Sequence, residues 1–104
     1  MTLDEYMMEA IKTIQPNVDE VYLAGKLVAE ATELFQPALK TAYHGKTPLT
    51  NEEFDEELGD ALWYLLALAT YRQRNIYDIM AANIAKLRAR HGHSYNAKHY
   101  ACHQ

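Results

Sequence analysis

The sequence contains few of the residues that break or cross-link a chain. Its 104 residues include four glycines, three prolines and one cysteine. Disordered linkers and collagen-like chains are rich in glycine and proline, so this composition excludes both architectures. The lone Cys102 cannot form an internal disulfide, which excludes a disulfide-stabilised fold and favours a reducing compartment.

Long apolar runs and an excess of positive charge are also missing. The longest uncharged run, ALWYLLALATY at residues 61–71, is too short to cross a bilayer, which takes about 20 residues. The first residues, MTLDEYMMEA, lack the basic and apolar regions of a signal peptide. The net charge is −4 with acids and bases interspersed, so nothing indicates general affinity for nucleic acid. We therefore expect a cytoplasmic protein that binds neither membranes nor nucleic acid.

Apolar residues recur with the period of an α-helix, and no segment alternates with the period of a strand. Thr2, Asn17 and Thr50 are each followed three residues later by glutamate, which is typical of helix starts. The expected helices span residues 3–14, Asn17 to about Gln36, Thr50 to about Arg74, and Ile76 to Gly92.

Pro37 is expected to kink or end the second helix, leaving a short helical extension and a loop around Gly45 and Pro48. The pattern predicts an all-α, four-helix-bundle-like single domain over residues 1–92. An irregular tail is expected over residues 93–104.

The third expected helix is apolar on nearly all sides between Ala61 and Ala69, and Trp63 faces away from its main apolar arc. Such a helix needs cover on more than one side, which a four-helix chain of this length can hardly supply. We therefore expect a homodimer or a homotetramer built as a dimer of dimers.

Paired acids border the apolar arcs of the second and third helices. Glu30 and Glu33 lie one turn apart in KLVAEATELF, and Glu57 and Asp60 lie one turn apart in EELGDALWYL. Antiparallel packing of the two helices, which the short loop between them favours, would bring all four carboxylates to one pocket. Converging acids repel one another and suit a hard divalent cation such as Mg²⁺. A solvated helix face is the simpler interpretation of either pair alone.

A di-iron carboxylate site is the competing metal interpretation. Such bundles use E-x-x-H pairs, and no histidine follows a glutamate at that spacing in this sequence. Magnesium is therefore favoured over iron.

The segment KLVAEATEL followed by EELGDALWYLLALA resembles the MazG-like all-α nucleoside triphosphate pyrophosphohydrolases. Their motif is E-E-x-x-E, a spacer, and then E-x-x-D. The resemblance covers about residues 20–92 and includes N-x-x-K-x-x-x-R in NIAKLRAR. Ala29 departs from the motif, because the family often has the first glutamate of its doublet there.

The resemblance implies Mg²⁺-dependent hydrolysis of a nucleoside or deoxynucleoside triphosphate to the monophosphate and pyrophosphate. The implied metal ligands are Glu30, Glu33, Glu57 and Asp60, with Mn²⁺ as an alternative metal. One glutamate would take the proton of the attacking water. Glu33 is the preferred candidate for this general base, and Glu30 is the alternative.

Substrate contacts are expected on three helices. Asn83, Lys86 and Arg90 form one stripe of the fourth helix, where cations would stabilise charge on the leaving pyrophosphate. Tyr64, one turn after Asp60, matches a position that contacts nucleotide in some family members. Lys26 is expected either to bind substrate or to pair with neighbouring acids. A solvated face, or a half-buried core tyrosine, is the alternative in each case.

Other interpretations stay open. The substrate could instead be dUTP, dCTP or phosphoribosyl-ATP, or the chain could be a non-catalytic helical oligomerisation module. Zinc is a further alternative for the tail, although the spacing fits no standard site. Its candidate ligands are His91, His93, His99, Cys102 and His103.

Overall fold

The computed structural model describes residues 1–91, and within that range it contains four α-helices and no strand. They are α1 (Leu3–Ile11), α2 (Glu20–His44), α3 (Asn51–Tyr71) and α4 (Ile76–His91). The predicted all-α fold is confirmed. No helix in this part of the chain is long and apolar enough to span a membrane.

The chain divides into two compact units, Met1–Gln73 and Arg74–Gln104. The first unit contains α1, α2 and α3, and α4 belongs to the second. The predicted single domain over residues 1–92 stays a prediction, and the predicted irregular tail lies outside the described residues.

Two of the three predicted N-terminal caps, Thr2 and Thr50, begin helices, and the prediction of Asn17 as a cap is wrong. The Thr2 hydroxyl oxygen accepts from the Glu5 amide at 3.1 Å, and Thr50 forms a full capping box with Glu53. The α2 cap is Asp19, whose carboxylate accepts from the Tyr22 amide at 2.8 Å. Asn17 instead lies in a turn closed by the bond from the Val18 amide to the Gln15 carbonyl.

Helix α1 ends at Ile11, three residues before the predicted end. The Ala10 carbonyl accepts from both the backbone amide and the hydroxyl of Thr13, at 3.0 and 2.7 Å. These bonds close the end of the helix.

Helix α2 continues through Pro37 to His44 and ends at Gly45, which adopts a left-handed conformation with φ 62°. Proline has no amide hydrogen, so the Glu33 carbonyl lacks its usual donor in the next turn. Leu34, Pro37 and Ala38 line an open apolar groove together with Leu49 and Phe54. The short helical extension predicted after Pro37 is therefore part of α2, and the predicted loop begins at Gly45.

Helices α2 and α3 run antiparallel, as predicted. The Arg72 guanidinium, just after α3, donates two hydrogen bonds to the carboxylate of Glu20 in the first turn of α2. This pairing lowers the pKa of Glu20 and raises the pKa of Arg72. Because the pair joins the start of α2 to the end of α3, it shows that the two helices run in opposite directions.

The core of the first unit lies where these helices meet. Leu23 of α2 is completely buried, and Leu66 and Ala67 of α3 are nearly so. Residues of α1 pack on the same part of α3, among them Met7 and Ala10.

Replacing Leu23 with alanine is expected to lower the free energy of unfolding by about 2–4 kcal/mol, because it removes a fully buried side chain and leaves a cavity. The matched control is Val21→Ala, whose side chain is 81% exposed and should cost no more than about 0.5 kcal/mol. Urea unfolding of both variants measures the difference. Equal losses would show that Leu23 is not at the centre of the core.

Candidate active site

Three carboxylates from α2 and α3 converge on one point. Glu30, Glu57 and Asp60 each present an oxygen, and the three oxygens lie within 4.8 Å of one another. Glu57 and Asp60 share a stripe of α3 because they are one turn apart, and the antiparallel hairpin brings Glu30 of α2 opposite them. Glu30 and Glu57 are half-buried and Asp60 is exposed. We call these three residues the acidic trio.

Glu33, the fourth expected ligand, lies outside the trio. Its side chain is exposed one turn after Glu30, yet its negative charge contributes to raising the pKa of Glu57. Glu33 therefore lies within electrostatic reach of the trio without joining it in this conformation.

The acidic trio is electrostatically unfavourable when all its members are ionised. The pKa of Glu57 is raised, first by desolvation and then by the negative charges around it. Those charges belong to Glu30, Glu33, Asp60 and Glu56. A bound cation would reverse this effect, because opposite charge favours the ionised carboxylate.

The trio fits a hard divalent cation. All three donors are carboxylate oxygens, the ligands that Mg²⁺ prefers. Mg²⁺ binds oxygen at about 2.1 Å, so two of its ligands lie at most about 4.2 Å apart. The observed limit of 4.8 Å is close enough that small side-chain rotations suffice.

The raised pKa of Glu57 predicts how the unfolding temperature depends on pH. The fold favours protonated Glu57, so this contribution to stability is present below the unfolded pKa and is lost as pH rises through the folded pKa. In EDTA, Glu57→Gln should therefore raise the unfolding temperature at about pH 7.5, with the gain disappearing near pH 4. Differential scanning fluorimetry at both pH values measures this. A lower unfolding temperature for the variant at pH 7.5 would show that the trio is not repulsive.

An open cleft of about 320 Å³ adjoins the trio. It is lined by Glu30 and Asp60 together with Thr13, Trp63 and Tyr64. The volume lies at the lower end of the range for small-molecule sites. The cleft therefore combines a charged end with an aromatic wall.

Trp63 connects this wall to α1. Its indole Nε1 donates to the Ala10 carbonyl at 3.2 Å, and its ring meets that of Tyr64 edge to face, with centroids 4.7 Å apart and an angle of 87° between the planes. The predicted need for a cover over Trp63 is thus met partly by α1 of the same chain.

Tyr64 and Lys26 both lie near the trio. Desolvation is the main cause that raises the pKa of the Tyr64 hydroxyl, and the positive charge of Lys26 opposes it. The charges of Glu30 and Asp60 act on the same hydroxyl. Lys26 is therefore close enough to interact with groups in the cleft.

Asn83, Lys86 and Arg90 are exposed on α4, which belongs to the second unit. The helix begins where the Asn75 side-chain oxygen accepts from the Tyr77 and Asp78 amides, at 2.8 and 3.2 Å. The contact of this stripe with substrate phosphates stays a prediction. The zinc alternative, apart from His91, falls on residues outside the described range.

Two residues of the cleft were not identified from the sequence as site residues. Trp63 carried a usable signal, since it follows Asp60 by one turn and precedes Tyr64. Thr13 carried none, because the sequence pattern does not show where the end of α1 meets α3.

The helical hairpin, its acidic trio and the adjoining cleft define an all-α protein with an acidic site suited to a divalent cation. The family model of the MazG nucleotide pyrophosphohydrolase domain matches residues 7–95. The chain therefore belongs to the MazG family, as the resemblance over residues 20–92 predicted. Neither a curated protein nor a solved structure matches it significantly.

Proposed function

We propose that this protein hydrolyses nucleoside or deoxynucleoside triphosphates between the α and β phosphates, releasing the monophosphate and pyrophosphate in a Mg²⁺-dependent reaction. Membership of the MazG family supports a nucleotide pyrophosphohydrolase activity. The dependence on a metal ion is supported by one observation: carboxylate oxygens of Glu30, Glu57 and Asp60 lie within 4.8 Å of one another.

In this proposal the acidic trio holds Mg²⁺, or alternatively Mn²⁺. When bound, such a cation neutralises the triphosphate, polarises its phosphorus and lowers the pKa of a coordinated water. Glu33 lies beside the trio and accepts the proton of the attacking water, and Glu30 is the alternative base. In the alternative arrangement that the family motif implies, a side-chain rotation brings Glu33 into the ligand set.

The cleft residues orient the substrate. Tyr64 and Trp63 offer aromatic surface beside the trio, and Lys26 places a positive charge near the Tyr64 hydroxyl. A cation there stabilises phosphate oxygens. Asn83, Lys86 and Arg90 of α4 are proposed to bind the β and γ phosphates and stabilise charge on the leaving pyrophosphate.

The remaining expectations belong to the same proposal. The protein works as a homodimer or homotetramer in the cytoplasm. Specificity for dUTP, dCTP or phosphoribosyl-ATP is the alternative within the same chemistry, because the trio does not distinguish bases.

A panel of nucleoside and deoxynucleoside triphosphates, with phosphoribosyl-ATP included, tests this function. Coupled detection of pyrophosphate and orthophosphate should find pyrophosphate only, and only when Mg²⁺ or Mn²⁺ is present. Release of orthophosphate, or activity unchanged in EDTA, would refute the proposed reaction. No release from any substrate, with no heat of binding for Mg²⁺ and a non-hydrolysable analogue, would favour the non-catalytic module.

A further inference from the structure

The aromatic wall of the cleft is held in place by the end of α1. The Ala10 carbonyl accepts from the amide and the hydroxyl of Thr13, at 3.0 and 2.7 Å, and from the indole Nε1 of Trp63 at 3.2 Å. The first two donors belong to the turn that closes α1, so this carbonyl has a fixed direction. The bond from Trp63 therefore fixes the indole ring relative to both α1 and α3.

The two aromatic residues of this wall have different surroundings. The Tyr64 hydroxyl lies among charged groups, since the carboxylates of Glu30 and Asp60 act on it. Trp63 has a single polar atom, the indole nitrogen, and that atom already donates to Ala10. The half-buried Trp63 therefore contributes the carbon surface of a large aromatic ring to the cleft. Its contact with Tyr64 is edge to face and covers at most one face of the indole.

The position of Trp63 suits the part of the substrate that the acids do not bind. In the proposed reaction the α phosphate lies at the metal, and the nucleoside is attached directly to that phosphate. The base is then one sugar ring away from the acidic trio. Trp63 follows Asp60 by three residues, or roughly 4.5 Å along the axis of α3, and both residues line the same cleft. A base that extends from the trio along the cleft meets the indole.

Stacking on an aromatic side chain is a strong source of affinity for nucleobases. Removing such a side chain weakens binding of the stacked base by about 10–100-fold. A ring that is already oriented in the free protein also loses little conformational freedom when the ligand binds. The hydrogen bond to Ala10 thus makes Trp63 a stacking surface that exists before the nucleotide arrives.

We infer that Trp63 is the residue of this site that binds the nucleobase, which stacks on its indole ring. The inference rests on the proposed function, which supplies the nucleotide. It assigns the acids to the phosphates and the indole to the base, so the two parts of the substrate can be tested separately.

The first test compares two ligands that share the phosphate chain and differ in the nucleoside. These are the non-hydrolysable α,β-imido analogue of dATP and inorganic tripolyphosphate, each titrated calorimetrically with Mn²⁺ present. Trp63→Leu should bind the dATP analogue about 10–100-fold more weakly than wild type and tripolyphosphate within about threefold of it. Trp63→Phe keeps an aromatic face and should recover at least about fivefold of the lost affinity.

The matched control is Tyr43→Leu. Tyr43 is 77% exposed near the end of α2, and this variant should bind both ligands as wild type does. Equal losses for the two ligands in Trp63→Leu would show that Trp63 only supports the fold of the site, and would overturn the inference. So would unchanged binding of the dATP analogue, or a Trp63→Phe variant as weak as Trp63→Leu.

The second test uses the unaltered protein, so it does not depend on how a variant folds. Trp63 is the only tryptophan of the chain, and its fluorescence therefore reports on the cleft alone. With Mg²⁺ present, the dATP analogue should quench the emission by stacking, and tripolyphosphate should leave it unchanged. The same response to both ligands would contradict stacking.

These outcomes separate the inference from the proposed reaction. If the nucleotide analogue binds and quenches as expected but no pyrophosphate is released from any substrate, the reaction is wrong and the role of Trp63 stands. If pyrophosphate is released while Trp63→Leu binds the analogue as tightly as wild type, the reaction stands and the role of Trp63 is wrong.

Discussion

Replacing Glu57 with glutamine is expected to reduce pyrophosphate release at least about a hundredfold while leaving the protein folded. Glutamine keeps the size of the side chain but removes the negative charge of one member of the acidic trio. The oxygens of Glu30 and Asp60 remain, yet two carboxylates hold a divalent cation more weakly than three. Steady-state kinetics at saturating Mg²⁺ measures the loss.

The matched control for this variant is Glu56→Gln. Glu56 is exposed beside Glu57 and contributes charge to the same region, but it lies outside the trio. The control should keep its activity within about threefold of wild type. Because Glu57→Gln is also expected to be the more stable protein in EDTA at neutral pH, its lost activity could not be attributed to unfolding. Full activity of Glu57→Gln would show that Glu57 is not part of the metal site.

Glu33→Gln is expected to separate metal binding from proton transfer. If Glu33 is the general base, kcat falls by about 10²–10⁴, while the affinity for Mn²⁺ in the absence of nucleotide stays within about threefold. The physical reason is the observed position of Glu33, which lies outside the trio but close enough to affect the Glu57 carboxyl. Measuring kcat and the Mn²⁺ dissociation constant on the same preparations provides both readouts.

Glu30→Gln is the comparison for that experiment. Glu30 belongs to the trio, so its substitution should weaken Mn²⁺ binding and reduce the rate together. If Glu33→Gln weakens Mn²⁺ as strongly as Glu30→Gln does, Glu33 is a fourth ligand that rotates into place. If Glu33→Gln keeps its full rate, Glu33 is neither base nor ligand.

The acidic trio lowers the stability of the metal-free fold, while its carboxylates are suited to binding a divalent cation. Desolvation is the main cause of the raised pKa of Glu57, and repulsion by the neighbouring carboxylates adds to it. Such a cluster is retained at a cost to the fold, which is typical of functional sites. Leu23 is the only large side chain completely buried in the described residues, so the chain has little core with which to offset that cost.

Local spacing explains how much of the site could be predicted from sequence. Glu57 and Asp60 were identifiable because residues one turn apart share a helix face, and Thr50 with Glu53 formed the predicted capping box. The difference between Glu30 and Glu33 was not predictable, since both satisfy the same spacing. Which of them joins the trio depends on the rotation of α2 against α3.

Features that depend on tertiary packing could not be predicted from the sequence either. Pro37 was expected to kink or end α2, with a short helical extension after it, and the helix continues through Pro37 to His44. Thr13 has no pattern that places it beside Trp63. A contact between distant segments places Thr13 there, and helical periodicity describes only one element at a time.

Titration of the metal-free protein with Mn²⁺ by isothermal calorimetry, for wild type and Asp60→Asn without nucleotide, decides whether the acidic trio is a metal site. Wild type should bind Mn²⁺, and Asp60→Asn should bind it at least about tenfold more weakly. Equal affinity in the two proteins, or no binding in either, would mean that the three carboxylates do not hold a cation.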